Sequence, residues 1–123
     1  MTDNLEVQHL PILDYSLGIK LAGNKKDLAQ DMLALLIQAL PKDLAAINQL
    51  YQEKKHPELR QNLHRLHGAL CYCGVPRLKT IVAHLESDLK NNIMSSLSSL
   101  LNQLDAEVRL LLEHYGNQSN SQY

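Results

Sequence analysis

The stretch Leu59-Arg60-Gln61-Asn62-Leu63-His64-Arg65-Leu66-His67-Gly68-Ala69-Leu70-Cys71-Tyr72-Cys73-Gly74 places apolar side chains at 59, 63, 66, 70 and 73. Steps of four and three follow the 3.6-residue turn and mark a single buried seam of an α-helix. On that wheel His64 falls roughly 140° from the centre of the seam and Gly68 at about 180°, so the imidazole faces solvent. Packing does not require it there. Gly68, one turn further on, removes the side chain that would shield it, although glycine inside a helix costs about 1 kcal/mol relative to alanine. A helix that bears this cost implies close approach by something else.

The same period recurs on both sides. Asp14 is placed to cap a short helix carrying Leu17 and Leu21, which stops at Gly23. Asn24, with Asp27 three residues later, reads as a capping-box-like start to a long helix with the seam Leu28, Met32, Leu35, Leu36 and Ala39. Pro41 interrupts that pattern while Leu44, Ile47, Leu50 and Tyr51 continue it, which predicts a kink or tight break with the direction kept. Lys54, Lys55 and His56 form a basic turn, and Pro57 opens the helix bearing His64. Gly74 closes that helix. Pro76 opens the next, with Leu78, Ile81, Val82, Leu85 and Leu89 on one face, and Asn91-Asn92 makes the following turn. A last long helix has the seam Leu97, Leu100, Leu101, Leu104, Val108, Leu111, Leu112 and Tyr115, with Gly116 as its stop.

These elements predict an all-α fold: an antiparallel up-down four-helix bundle with an additional short N-terminal helix. Absence of Phe and Trp and abundance of leucine agree with it. Residues 1–10 are expected as a flexible tail, 11–116 as the bundle and 117–123 as a disordered C-terminal tail. A chain of 123 residues is long enough to bury a core without disulfides or structural metal. Cys71 and Cys73, two residues apart on one helix, point about 200° away from each other and cannot pair locally, which favours a reducing compartment.

Composition removes several function classes. Twelve Lys plus Arg against thirteen Asp plus Glu provide no field for nucleic acid or anionic lipid. No apolar run approaches the roughly 20 residues that span a bilayer, so direct membrane contact is not expected. There is no glycine-rich phosphate loop and no nucleophile elbow, and an autonomous kinase is not expected. His9, His56, His84 and His114 read as surface or boundary histidines. Arg77 and Lys79 read as solvated surface or as contacts for an acidic partner.

Three readings of the His64 face stay open on the residues alone. Arg60, His64, His67 and Cys71 could be an ordinary polar face. His64, His67 and Cys71, within an arc of about 60°, could be ligands of a small helical metal-binding protein, although no fourth ligand is evident. Or His64 carries a phosphoryl group: neutral imidazole offers one ring nitrogen as a nucleophile near neutral pH, and Arg60 and His67 can offset phosphoryl charge.

His64-Arg65-Leu66-His67-Gly68 followed by Gly74 resembles the signature of histidine phosphotransfer (HPt) domains. In that signature the phosphorylated histidine is followed by lysine three residues later and glycine four later, with another glycine closing the helix. Together with Tyr72, Gly74-Val75-Pro76-Arg77 and Ala22-Gly23-Asn24-Lys25-Lys26-Asp27-Leu28-Ala29-Gln30-Asp31-Met32-Leu33, it is similar to the C-terminal HPt domain of BarA/GacS-type hybrid sensor kinases, over about Leu13 to Tyr115. The resemblance implies a cytoplasmic phosphorelay intermediate. His64 would take a phosphoryl group from the aspartate of a receiver domain and pass it to the aspartate of a response regulator. It implies no cofactor bound by this domain, Mg²⁺ brought by the receiver, and docking over Arg60, Gly68 and Cys71. Glu86 stands where similar domains hold a polar residue that orients the histidine ring, and Gly74 has a structural part. His67 departs from the usual lysine, which makes the charge beside the phosphoryl group conditional on pH.

Overall fold

The structure, a computed structural model, describes residues 4–118. Five helices follow in order: α1 Tyr15–Leu21, α2 Lys26–Gln52, α3 His56–Leu70, α4 Pro76–Lys90 and α5 Leu97–Gln118. Helices α2 to α5 form the expected up-down bundle, and α1 packs at the end where α3 passes into α4. No strand occurs among the described residues, and none of their helices is long and apolar enough to cross a membrane.

The seams of α3 and α4 are buried as read: Leu59, Leu63, Leu66 and Leu70 face Leu78, Ile81, Val82, Leu85 and Leu89 in one core. From α5, Leu97, Leu100, Leu101, Leu104, Val108 and Leu111 complete it, with Leu112 and Tyr115 partly buried. Helix α2 is different. Its buried residues are Ala29, Leu33, Leu36, Leu40 and Ile47, while Leu28 and Leu35 are 43% and 66% exposed. Two apolar stripes lie side by side on this helix. The stripe through Leu28 and Leu35 runs onward into Lys42 and Gln49, whereas the stripe through Ala29 and Leu36 reaches Ile47, so only the second can line a core along its whole length.

Pro41 does not break α2, which runs unbroken from Lys26 to Gln52. The residue is exposed, so the amide it cannot supply is missing from the solvent side. Asn24 is not the cap of α2. It takes φ 67° beside Gly23 at φ 68°, and its amide bonds the Ile19 carbonyl at 2.8 Å while that of Gly23 bonds Lys20. This is a Schellman ending of α1, and Lys25 becomes the N-cap of α2 without a side-chain bond. Asp14 caps α1 as expected, accepting from the Leu17 amide at 3.0 Å. At the other end α5 continues past Gly116 to Gln118, so the expected C-terminal tail begins as helix; residues 119–123 lie outside the described residues.

The largest correction concerns the supposed N-terminal tail, of which residues 1–3 lie outside the described residues. Asn4 to Leu10 form a strap on the bundle: Val7 is fully buried, and Gln103 on α5 pairs with both backbone groups of Leu5, at 2.9 and 2.8 Å. Arg77 holds the other end. It is not solvated surface; its Nε donates to the Leu10 carbonyl at 2.7 Å and its Nη2 to that of Gln8 at 3.1 Å. Glu107 stands 3.6 Å from its Nη1.

Gly74 lies beyond α3, in the turn before α4, and is fixed by close approach. Its carbonyl accepts the Asp14 amide at 2.7 Å, and a Cβ at this position would overlap the Asp14 carbonyl oxygen and stand 2.9 Å from the Gly18 nitrogen. Backbone atoms of a helix start cannot yield as a flexible side chain would. Gly74→Ala is expected to lower stability by about 2 kcal/mol or more, measured by urea unfolding; an unchanged midpoint would show that the α1 junction relaxes freely.

Candidate functional site

Helix α3 turns its leucine seam inward, and the residue after Leu63 therefore points out. The side chain of His64 is 76% exposed, and its Nδ1 pairs with Oε2 of Glu86 on α4, itself only 20% exposed. An ionised carboxylate can only accept a hydrogen bond, so in the neutral ring Nδ1 carries the hydrogen and Nε2 keeps its lone pair. The α4 seam sets this pairing. Leu85 and Leu89 are buried, which turns Glu86 toward the rim between α3 and α4.

An open cleft of about 570 Å³ surrounds the pair, lined by Pro57, Arg60, Gln61, His64, Glu86 and Lys90. Arg60 and Lys90 each sit one turn from the residue they flank, four before His64 and four after Glu86. Lys90 is missing from the sequence reading. The signal that could have found it is the spacing from Glu86, which becomes informative only once α4 is known to lie beside α3.

The other expected residues fall on the far side of His64. The His67 ring is half-buried and touches the Cys71 thiol, with Sγ 3.9 and 4.0 Å from its two nitrogens. Neither residue lines the His64 cleft. Gly68 is exposed with nothing within 4 Å of where a Cβ would stand, so no contact inside the domain demands glycine. Gly74 belongs to the α1 junction and not to the site.

Cys71 and Cys73 are free thiols. Cys73 is buried, and burial raises the pKa of its thiol. Among the described residues no group of three His, Cys, Asp or Glu side chains is placed to hold a metal ion. The metal reading of His64, His67 and Cys71 therefore lacks the geometry it needs.

The family model described as "Hpt domain" matches residues 31–114, well over half of the chain. The sensor protein GacS of Pseudomonas syringae pv. syringae is 39% identical over 114 residues, which are 87% of this chain and 13% of that protein. The signal transduction histidine-protein kinase BarA of Escherichia coli K12 is 31% identical over 102 residues, 79% of this chain and 11% of that protein. The chain thus spans only a small part of the length of these curated relatives. The crystal structure of the HPT domain from a Shewanella Hpt sensor hybrid histidine kinase aligns with a TM-score of 0.71 at 27% identity, covering 86% of this chain and 95% of that one. With this family match over the bundle and the His64 helix, the chain belongs to the Hpt domain family.

Proposed function

We propose that the domain is a phosphorelay intermediate in which His64 accepts a phosphoryl group from the aspartate of a receiver domain and delivers it to the aspartate of a response regulator. The observation that carries this reading is the His64–Glu86 pair, which leaves Nε2 in solvent with its lone pair free. In the transfer, that lone pair attacks the phosphorus of an aspartyl phosphate. The N–P bond forms, the acyl O–P bond breaks, and the aspartate leaves as carboxylate. Nδ1 keeps its hydrogen throughout, so the ring becomes cationic against the Glu86 carboxylate. The return step is the reverse.

Phosphoryl transfer depends mainly on positioning and charge stabilisation. The bundle positions His64, and Arg60, Lys90 and His67 face phosphoryl charge from either side. The receiver brings its acidic pocket and Mg²⁺, which neutralises phosphoryl charge when bound there. Docking uses the open α3 face, where Gly68 admits the partner backbone and Cys71 supplies a small contact. The partners are the receiver domain of a hybrid sensor kinase and that of a response regulator, and the setting is the cytoplasm.

The deciding experiment is transfer of acid-labile phosphate from a phosphorylated receiver, mapped to a residue. His64→Gln is expected to leave stability within about 1 kcal/mol, as for exposed substitutions, and to accept no label; undiminished labelling would refute the proposal.

Gly68→Ala separates fold from function. Alanine should stabilise α3 by up to about 1 kcal/mol, since nothing crowds the new methyl group, yet slow receiver transfer by roughly tenfold because the partner is held away from line. Paired unfolding and transfer measurements check this, and full transfer rates would show that the partner does not approach over Gly68. His67→Lys should retain transfer with a flatter pH dependence between about 6 and 8, because lysine keeps its charge through the range in which histidine changes it. Identical pH–rate profiles would take His67 out of the mechanism.

A further inference from the structure

The strap and an apolar groove beside α3 form one assembly. Leu10, whose carbonyl Arg77 holds, lines a groove of about 620 Å³ together with Leu17 and Leu21 of α1, Cys71, and Thr80 and Ala83 of α4. The groove continues the His64 face. Cys71 belongs to both, because its thiol touches the His67 ring on α3 and also lines the groove. Large apolar side chains stand in solvent near it, Leu21 at 39% and Tyr72 at 58% exposure.

We propose that the strap is a positioning element for phosphoryl transfer. By holding Leu5 from Gln103 and Gln8 and Leu10 from Arg77, and through them the approach to α1, these two residues shape the groove against which a receiver domain seats apolar surface while its aspartyl phosphate reaches His64. This rests on the phosphotransfer reading above. Neither residue lines the His64 cleft, so both act through the backbone they hold.

The chemistry of the strap contacts argues for placement over simple burial. Apolar residues at 77, 103 and 107 would cover the core without desolvating a guanidinium and a carboxylate, whose burial is costly. The strap and the residues that follow it do bury apolar side chains, Val7 and Leu13 almost wholly and Leu5, Leu10 and Ile12 in part; apolar contact is non-directional, however, and does not by itself settle which main-chain atoms meet α4 and α5. The contacts present fix its register: Gln103 takes both the amide and the carbonyl of Leu5, and Arg77 takes the carbonyls of Gln8 and Leu10. Such restraint matters for α1, because seven residues are too few for a helix to persist alone. One end of α1 is locked by the contact of Asp14 with Gly74, and the strap that precedes it controls how that end enters the groove.

The test uses the full chain in two forms, Gln103→Met and the pair Arg77→Met with Glu107→Gln, the second change removing a buried carboxylate that would otherwise lose its cation. Label on His64 is followed from a phosphorylated receiver at graded concentration and from phosphoramidate, a small donor that loses ammonia as its P–N bond breaks and needs no docking surface. In both forms the receiver concentration for half-maximal transfer should rise about tenfold, as ordering of the groove becomes a cost of binding. The rate at saturating receiver and the labelling by phosphoramidate should stay within about twofold. Unchanged concentration dependence in both forms, or an equal loss with both donors, would overturn the positioning role. An unaltered chain labelled at His64 by neither donor would instead remove the phosphoacceptor reading, and this proposal with it.

Discussion

The packing of the α3 leucine seam is the constraint from which the site follows. Leu59, Leu63 and Leu70 are fully buried and Leu66 nearly so, which leaves helix α3 no rotational freedom without exposing leucine to water. Each such side chain contributes roughly 1.5–3 kcal/mol on burial, far more than any orientation of a surface imidazole. His64 points outward because its neighbours must point inward. Glu86 then needs only the matching constraint on α4, where Leu85 and Leu89 are buried, to meet it across the rim.

The other end of α3 obeys a different rule. Seam packing fixes the bundle; α1 and the residues before it also pack Val7, Leu13 and Tyr15 on the core, but their register is set through the backbone. Gly74 permits contact between two main chains, while Arg77 and Gln103 reach main-chain groups of the strap. Directional bonds therefore finish what non-directional packing begins.

This contrast explains what could be read from the sequence. The seams of α3, α4 and α5 were legible because apolar residues recur there in only one phase. Helix α2 offered two phases, because leucines recur around it at Leu28, Leu33, Leu35, Leu36 and Leu40, and the choice rested on Lys42 falling in one phase and Ile47 in the other. Asn24 suits a cap and a left-handed turn equally by residue type, and the preceding Gly23 decides for the turn. Arg77 was illegible, since its acceptors are backbone carbonyls 67 and 69 positions away, and a carbonyl has no signature in sequence. Around the candidate site, the outward position of His64 and Gly68 was readable from one helix, whereas the place of Lys90 beside the cleft required knowing which helix lies alongside.

The placement of charge around His64 has a physical logic of its own. Arg60 and Lys90 flank the cleft as constant cations, while His67, on the other side, meets Cys71 instead. All remain at the surface or half-buried, so the free domain keeps them at little cost in desolvation. In water two unit charges 4 Å apart interact by only about 1 kcal/mol, and at the effective dielectric of a protein surface by about 4 kcal/mol. In the proposed transfer Arg60 and Lys90 would therefore gain most of their hold on a phosphoryl group once a docked partner excluded water from the cleft. An exposed histidine is thus compatible with the proposed charge-stabilised transfer, in which the resting domain would supply nucleophile and cations in fixed positions and the encounter the dielectric in which they act.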